Sequence, residues 1–107
     1  MLASTLNKGF QLTFENGLTI SVQFGSGNYC ERKVGLWEPN DEMKYDIIKS
    51  SNAEIAIWDK NGKWFNFGSD EVKGWVEANE IAKWIYLVST VENLDDLYSK
   101  VENGNNF

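Results

Sequence analysis

Apolar and polar residues alternate along two neighbouring stretches, Phe10-Gln-Leu12-Thr-Phe14 and Leu18-Thr-Ile20-Ser-Val22-Gln-Phe24, with Glu15-Asn16-Gly17 between them. A period of two marks half-buried strands, and the Asn-Gly pair marks a hairpin turn. A two-residue loop would set Phe14 against Thr19 and send the two apolar rows to opposite faces. A three-residue loop sets Phe14 against Leu18, Leu12 against Ile20 and Phe10 against Val22, all on one face. Register follows the buried face, so the pattern predicts the three-residue loop with Gly17 left-handed.

The device recurs in Ala53-Glu-Ile55-Ala-Ile57-Trp58-Asp59, Lys60-Asn61-Gly62 and Lys63-Trp64-Phe65-Asn-Phe67. Here the spacing predicts Ile57 beside Phe65 and Ile55 beside Phe67 on one face. Trp58 then meets Trp64 on the other face, and an Asp59–Lys63 charge pair closes the loop end. The Trp-bearing face is either covered or a binding surface.

Val72 to Val76 reads as a further short strand. From Ala78 to about Val88 the period becomes helical, with Ile81, Trp84, Ile85 and Val88 on one stripe and Asn79-Glu80 suiting the first turn. A second amphipathic run through Val91, Leu94, Leu97, Tyr98 and Val101 either continues that helix or starts anew near Ser89-Thr90. Residues 34–52 fit no single pattern: Glu38 to Asp41 resembles a turn, and Met43 to Ile48 suits helix or strand equally. The expectation is an α+β fold in one domain over residues 1–107. An antiparallel sheet of two or more β-hairpins would pack against one or two C-terminal helices, with 1–7 and 102–107 flexible.

Composition narrows the chemistry. A chain of 107 residues that is 42% hydrophobic can bury a core without staples. Aromatic residues make up 14%, five of them Trp, and large rings let a small sheet bury much area. The sequence holds no histidine, which removes His-based acid–base chemistry, Ser-His and Cys-His nucleophile pairs and most zinc sites. Cys30 is the single cysteine, so no internal disulfide can form and the cytoplasm of a host cell is the expected compartment. No apolar run is long enough for a membrane span. Ten basic against sixteen acidic residues give a formal charge of −6, which repels a phosphate backbone and attracts a basic protein surface.

The stretch after the second strand is the most pointed candidate site. Gly25, Ser26 and Gly27 would let a ligand approach backbone amides. Asn28 both donates and accepts, Tyr29 can stack, and Arg32 and Lys33 carry positive charge. These are the ingredients of a phosphate or nucleotide loop, although the Gly-Lys-Ser/Thr ending of a P-loop is missing and a solvent-exposed connection is the plainer alternative. Trp58 and Trp64, with Trp37 and Trp75, could stack a planar ligand or anchor a partner, or simply pack. Cys30 lacks a histidine base, and the acid pairs Asp41-Glu42, Asp70-Glu71 and Asp95-Asp96 lack the spacing of a metal loop. No catalytic residue, metal or cofactor is assigned.

The run from Lys8 to Cys30 (KGFQLTFENGLTISVQFGSGNYC) resembles the opening signature of a family of small phage- and prophage-encoded proteins. Ala53 to Asp59 with Gly62-Lys-Trp64, and Asp70 to Val76, are similar to later blocks of that family. The resemblance carries no assigned chemistry. It implies an accessory protein of a mobile element, for which counter-defence is a common role, and it adds weight to Gly25–Cys30. The leading expectation is a non-catalytic binder that sequesters a nucleotide-like immune signal through Gly25, Ser26, Gly27, Asn28, Tyr29 and Arg32 with Trp58 and Trp64. The alternative is an anti-CRISPR-like inhibitor whose acidic surface around Asp95-Asp96 binds a nucleic-acid-handling host protein. Homo-oligomers are compatible with either reading.

Overall fold

In the computed structural model, which describes residues 1–4, 8–24 and 49–103, five strands form one antiparallel sheet. The strands β1 (Leu2–Ser4), β2 (Gly9–Thr13), β3 (Thr19–Gln23), β4 (Asn52–Trp58) and β5 (Lys73–Glu77) lie side by side in chain order. Helices α1 (Ala78–Thr90) and α2 (Leu94–Glu102) follow. The α+β arrangement expected from the sequence is thus present. Residues 2–4, expected within a flexible stretch, instead pair with β2 as an edge strand, Leu2 opposite Leu12 and Ser4 opposite Phe10.

The first hairpin has the three-residue loop. Phe10 pairs with Val22 and Leu12 with Ile20, the Phe14 amide donates to the Leu18 carbonyl at 2.9 Å, and Gly17 sits at φ 88°. That register puts Ile20 and Val22 on one face with Ile57 and Ile55 of β4, their pairing partners. The same face receives Trp84, Leu87 and Val88 of α1 and Leu94 and Leu97 of α2, giving one apolar cluster. Each fully buried aliphatic or aromatic side chain there is worth roughly 1.5–3 kcal/mol relative to exposure.

The second hairpin departs from expectation after one pairing. Trp58 bridges Trp64, and the Phe65 amide donates to the Ile57 carbonyl at 2.8 Å, as the spacing predicts. The expected Ile55–Phe67 pairing does not form, because Lys73 of β5 occupies that place opposite Ile55. The diversion is local in origin. Asn66 Oδ1 accepts from the Gly68 amide at 2.7 Å, Gly68 adopts φ 126°, and the Phe67 amide donates to the Asp70 carbonyl at 2.9 Å. An Asx turn therefore ends the pairing and sends the Phe67 ring against Phe65 and Trp84, with centroids 5.0 and 5.2 Å away. The expected Asp59–Lys63 charge pair is likewise replaced by backbone bonds. Asp59 Oδ1 accepts from the amides of Asn61 and Lys63, each at 2.9 Å.

The helical run divides at Val91, whose extended backbone (φ −77°, ψ 162°) stops α1. Asn93 then caps α2 by accepting from the Asp96 amide at 2.8 Å, while Asp96 Oδ2 accepts from the Glu92 amide at 3.0 Å. Such reciprocal capping satisfies amides that a helix start leaves unpaired. The carboxy end of α1 is satisfied from across the molecule. Asn16 Nδ2 donates to the carbonyls of Val88 and Val91 at 2.8 and 2.7 Å, and Asn16 Oδ1 accepts from the Leu18 amide at 3.0 Å.

Candidate functional site

Helix α1 presents two flanks. Trp84, Leu87 and Val88 enter the core, which leaves Ala78, Ile81, Ala82 and Ile85, at helical spacing, over the Phe24 end of the sheet. The two alanines are too short to fill the space beneath them. A groove of about 620 Å³ results, walled by these four residues on one side and by Phe10, Val22, Phe24 and Ala53 on the other. Lys49, Ser50, Ser51 and Asn52 close one end. The volume lies within the roughly 300–1,000 Å³ of small-molecule pockets, and the combination of apolar walls with a few polar groups is the usual one.

The polar end carries charges of both signs. Lys49 brings an ammonium group. Ala78 is the first residue of α1, and the exposed Glu77 before it makes no side-chain cap bond, so its carboxylate and the first-turn amides meet at this end. Glu80, in the same turn, is engaged away from the groove, its Oε2 accepting from Trp84 Nε1 at 3.0 Å and lying 3.5 Å from Lys73 Nζ. Ser50 donates its hydroxyl to the Asn52 carbonyl at 2.6 Å, which shapes the Lys49–Asn52 turn. The groove can therefore take a flat apolar body with a polar end.

Of the residues singled out in the sequence, Gly25, Ser26, Gly27, Asn28, Tyr29 and Arg32 lie outside the described residues, as do Cys30, Trp37 and the undecided stretch 34–48. Their point of attachment is described. Gly25 follows Phe24, a wall of the groove. Trp58 and Trp64 do form a stacked pair, with centroids 4.9 Å apart and planes at 29°. Trp58 is half-buried and Trp64 is 39% exposed. The pair sits opposite Thr19, at the other end of β3 from Phe24. Five residues of strand span about 17 Å, so the sheet does not make the Trp pair a neighbour of the Phe24 end.

A second cleft, of about 490 Å³, lies between the 66–68 turn and α2, lined by Phe65, Phe67, Trp84 and Tyr98 among others. Its rings contact one another edge-to-face and stacked, and the Tyr98 hydroxyl accepts from the Asn66 amide at 2.8 Å. It reads as the aromatic margin of the core. The acid pairs within the described residues are used locally: Asp70 Oδ1 accepts from the Glu71 amide at 2.7 Å, and Asp96 belongs to the α2 cap. Among the described residues no group of three or more metal-ligating side chains occurs, and no helix is long and apolar enough to cross a membrane.

The groove was not legible in the sequence. Ile81 and Ile85, read there as one stripe with Trp84 and Val88, do pack against the core but are only partly buried, and they also line the groove. The available signal was the pair Ala78 and Ala82, four apart on the same flank, where larger residues would have closed the gap. No protein-family model, curated protein or solved structure matches the chain.

Proposed function

We propose that this chain is a non-catalytic binding protein that captures a small nucleotide-like ligand, the activity through which a phage-type accessory protein would counter bacterial defence by sequestering an immune signal. The observation that carries the reading is the groove at the Phe24 end of the sheet, apolar along its walls and polar at the end lined by Lys49, Ser50, Ser51 and Asn52. A base would lie against Phe24, Ile81 and Ile85, and its phosphate would face Lys49, Ser51 and the amino end of α1. The candidate loop Gly25–Arg32 begins at the groove wall, which supports its taking part. The absence of histidine from the sequence supports capture over turnover.

Thermal unfolding of the purified protein with cyclic dinucleotides, cyclic ADP-ribose variants and common nucleotides tests this directly. A ligand at a hundred times its Kd adds roughly 2.7 kcal/mol, or about 10 °C or more for a domain of this size. Ala82→Trp, on the exposed flank of α1, would fill the groove and abolish the shift, and Lys49→Ala would reduce it. A flat response to every nucleotide, or a shift that survives Ala82→Trp, would remove the reading.

A further inference from the structure

The sequence holds three Asn-Gly pairs, Asn16-Gly17, Asn61-Gly62 and Asn103-Gly104. Such a pair is chemically labile. The glycine nitrogen can attack the asparagine side-chain carbonyl carbon, and a residue without Cβ leaves that approach unhindered. The new N–C bond closes a succinimide ring, while the side-chain nitrogen takes up the displaced proton and leaves as ammonia. Water then opens the ring at either carbonyl, giving aspartate or isoaspartate. The chain and water are the only reactants.

The pairs in the two hairpin tips are held differently. In both, the glycine amide donates to a turn carbonyl, Gly17 to Phe14 at 2.9 Å and Gly62 to Asp59 at 3.0 Å. That restraint is common to both tips and does not separate them. The side chains do. Asn16 Nδ2 donates to the Val88 and Val91 carbonyls and its Oδ1 accepts from the Leu18 amide, which pins the carbonyl carbon toward α1. Asn61 is exposed, and its side chain holds no hydrogen bond among the described residues. Asp59 Oδ1 fixes the backbone amides of Asn61 and Lys63 but leaves the Asn61 side chain free to change rotamer. Space is open as well, since a Cβ on Gly62 would meet nothing within 4 Å. For the third pair, Gly104 lies outside the described residues.

We propose that Asn61 is a site of spontaneous succinimide formation in the folded protein, and that Asn16, in the same dipeptide, is protected by its bonds to α1. The second hairpin tip therefore ages. Aspartate at position 61 adds a carboxylate two residues from Asp59. Isoaspartate carries the chain through the former side chain and lengthens the loop by a methylene. Both bonds from Asp59 Oδ1 lie within that loop, so the longer path disturbs the tip beside which Trp58 stacks on Trp64. This site does not rest on the groove, so either reading can fail alone.

The test is to age the folded full chain at mildly alkaline pH, beside a sample held unfolded in urea, and to follow each asparagine by peptide mapping and mass spectrometry. In urea the two tips should react at similar rates. In the folded chain Asn61 should keep its rate within a few-fold. Asn16 should slow about tenfold or more, because reaction there requires two hydrogen bonds to open together. An isoaspartyl methyltransferase with labelled S-adenosylmethionine should then label the aged folded chain in the peptide that contains residue 61, and Asn61→Gln should abolish that label. Three results would overturn the proposal. One is Asn16 reacting as fast as Asn61 in the folded chain. Another is Asn61 staying intact in the folded chain while it reacts in urea, which would mean that the Gly62–Asp59 turn bond protects it. The third is label that survives Asn61→Gln, which would place the isoaspartate at Asp59.

Discussion

The side-chain amide of Asn16 donates to the carbonyl of Val88 at 2.8 Å across a separation of 72 residues, and its second hydrogen reaches Val91. A residue that reads in sequence as half of an Asn-Gly turn is thus also the C-terminal cap of α1. Two carbonyls that a helix end leaves unpaired are satisfied by one amide.

Replacing Asn16 tests that double role. Asn16→Ala should cost about 1–3 kcal/mol, the penalty for part-buried polar groups left without partners. Asn16→Asp should cost more, since it turns a carboxylate oxygen toward the two carbonyls. Urea unfolding gives both values. If the Asp variant matched the wild type, the cap would not exist.

Two glycines with positive φ should respond very differently to alanine. A Cβ on Gly9 (φ 150°) would fall 1.9 Å from the Val22 carbonyl oxygen, so the β2–β3 ladder itself must move. A Cβ on Gly62 (φ 81°) would meet nothing within 4 Å. Gly62→Ala should therefore cost only the left-handed backbone term, about 1–2 kcal/mol, while Gly9→Ala should exceed about 4 kcal/mol or fail to fold. Comparable denaturation midpoints for the two variants would contradict the close approach at Gly9.

Tyr98 holds the 66–68 turn in two separable ways. Its hydroxyl accepts from the Asn66 amide, and its ring stacks on Phe65 with centroids 4.4 Å apart. Tyr98→Phe should lose about 0.5–1.5 kcal/mol and mainly speed hydrogen exchange at Asn66. Tyr98→Ala should lose about 3–5 kcal/mol, the range for deleting a packed aromatic ring. Equal losses would mean that the ring contributes nothing beyond its hydroxyl.

Trp75→Gly should leave the melting temperature unchanged or raise it. The substitution removes an exposed ring from the bulge between β4 and β5 and relieves a left-handed residue (φ 52°) of about 1–2 kcal/mol of strain. A drop of several degrees would show that the indole supports the fold.

The register of the first hairpin was legible because only one loop length puts Phe10, Leu12, Phe14, Leu18, Ile20 and Val22 on one face. The helix stripe was legible for the same reason, a period that a single geometry satisfies. Phe67 was misplaced because alternation continues through it, while the Asn66–Gly68 turn that diverts the chain is a side-chain–backbone bond with no periodic trace. The split at Val91 and the cap at Asn93 were within reach, Asn93 and Asp96 having capping spacing. The groove and the bulge at Trp75 depend on how separate elements meet, and no local pattern encodes that. The candidate loop at Gly25–Arg32 was drawn from residue chemistry, and what the fold adds is the end of the sheet from which it departs.

The two hairpin tips, Glu15-Asn16-Gly17 and Lys60-Asn61-Gly62, look interchangeable as sequence, yet they give the chain two unequal points of entry for an engineer. The first is riveted to α1 through Asn16, so a longer loop there would pull the amide from the helix end and loosen hairpin and helix together. At the second, Asn61 and Gly62 are exposed and a Cβ on Gly62 would meet open space. An epitope or a fluorophore-bearing peptide spliced between Asn61 and Gly62 would therefore report on this protein in a living cell without disturbing the groove at the Phe24 end of the sheet.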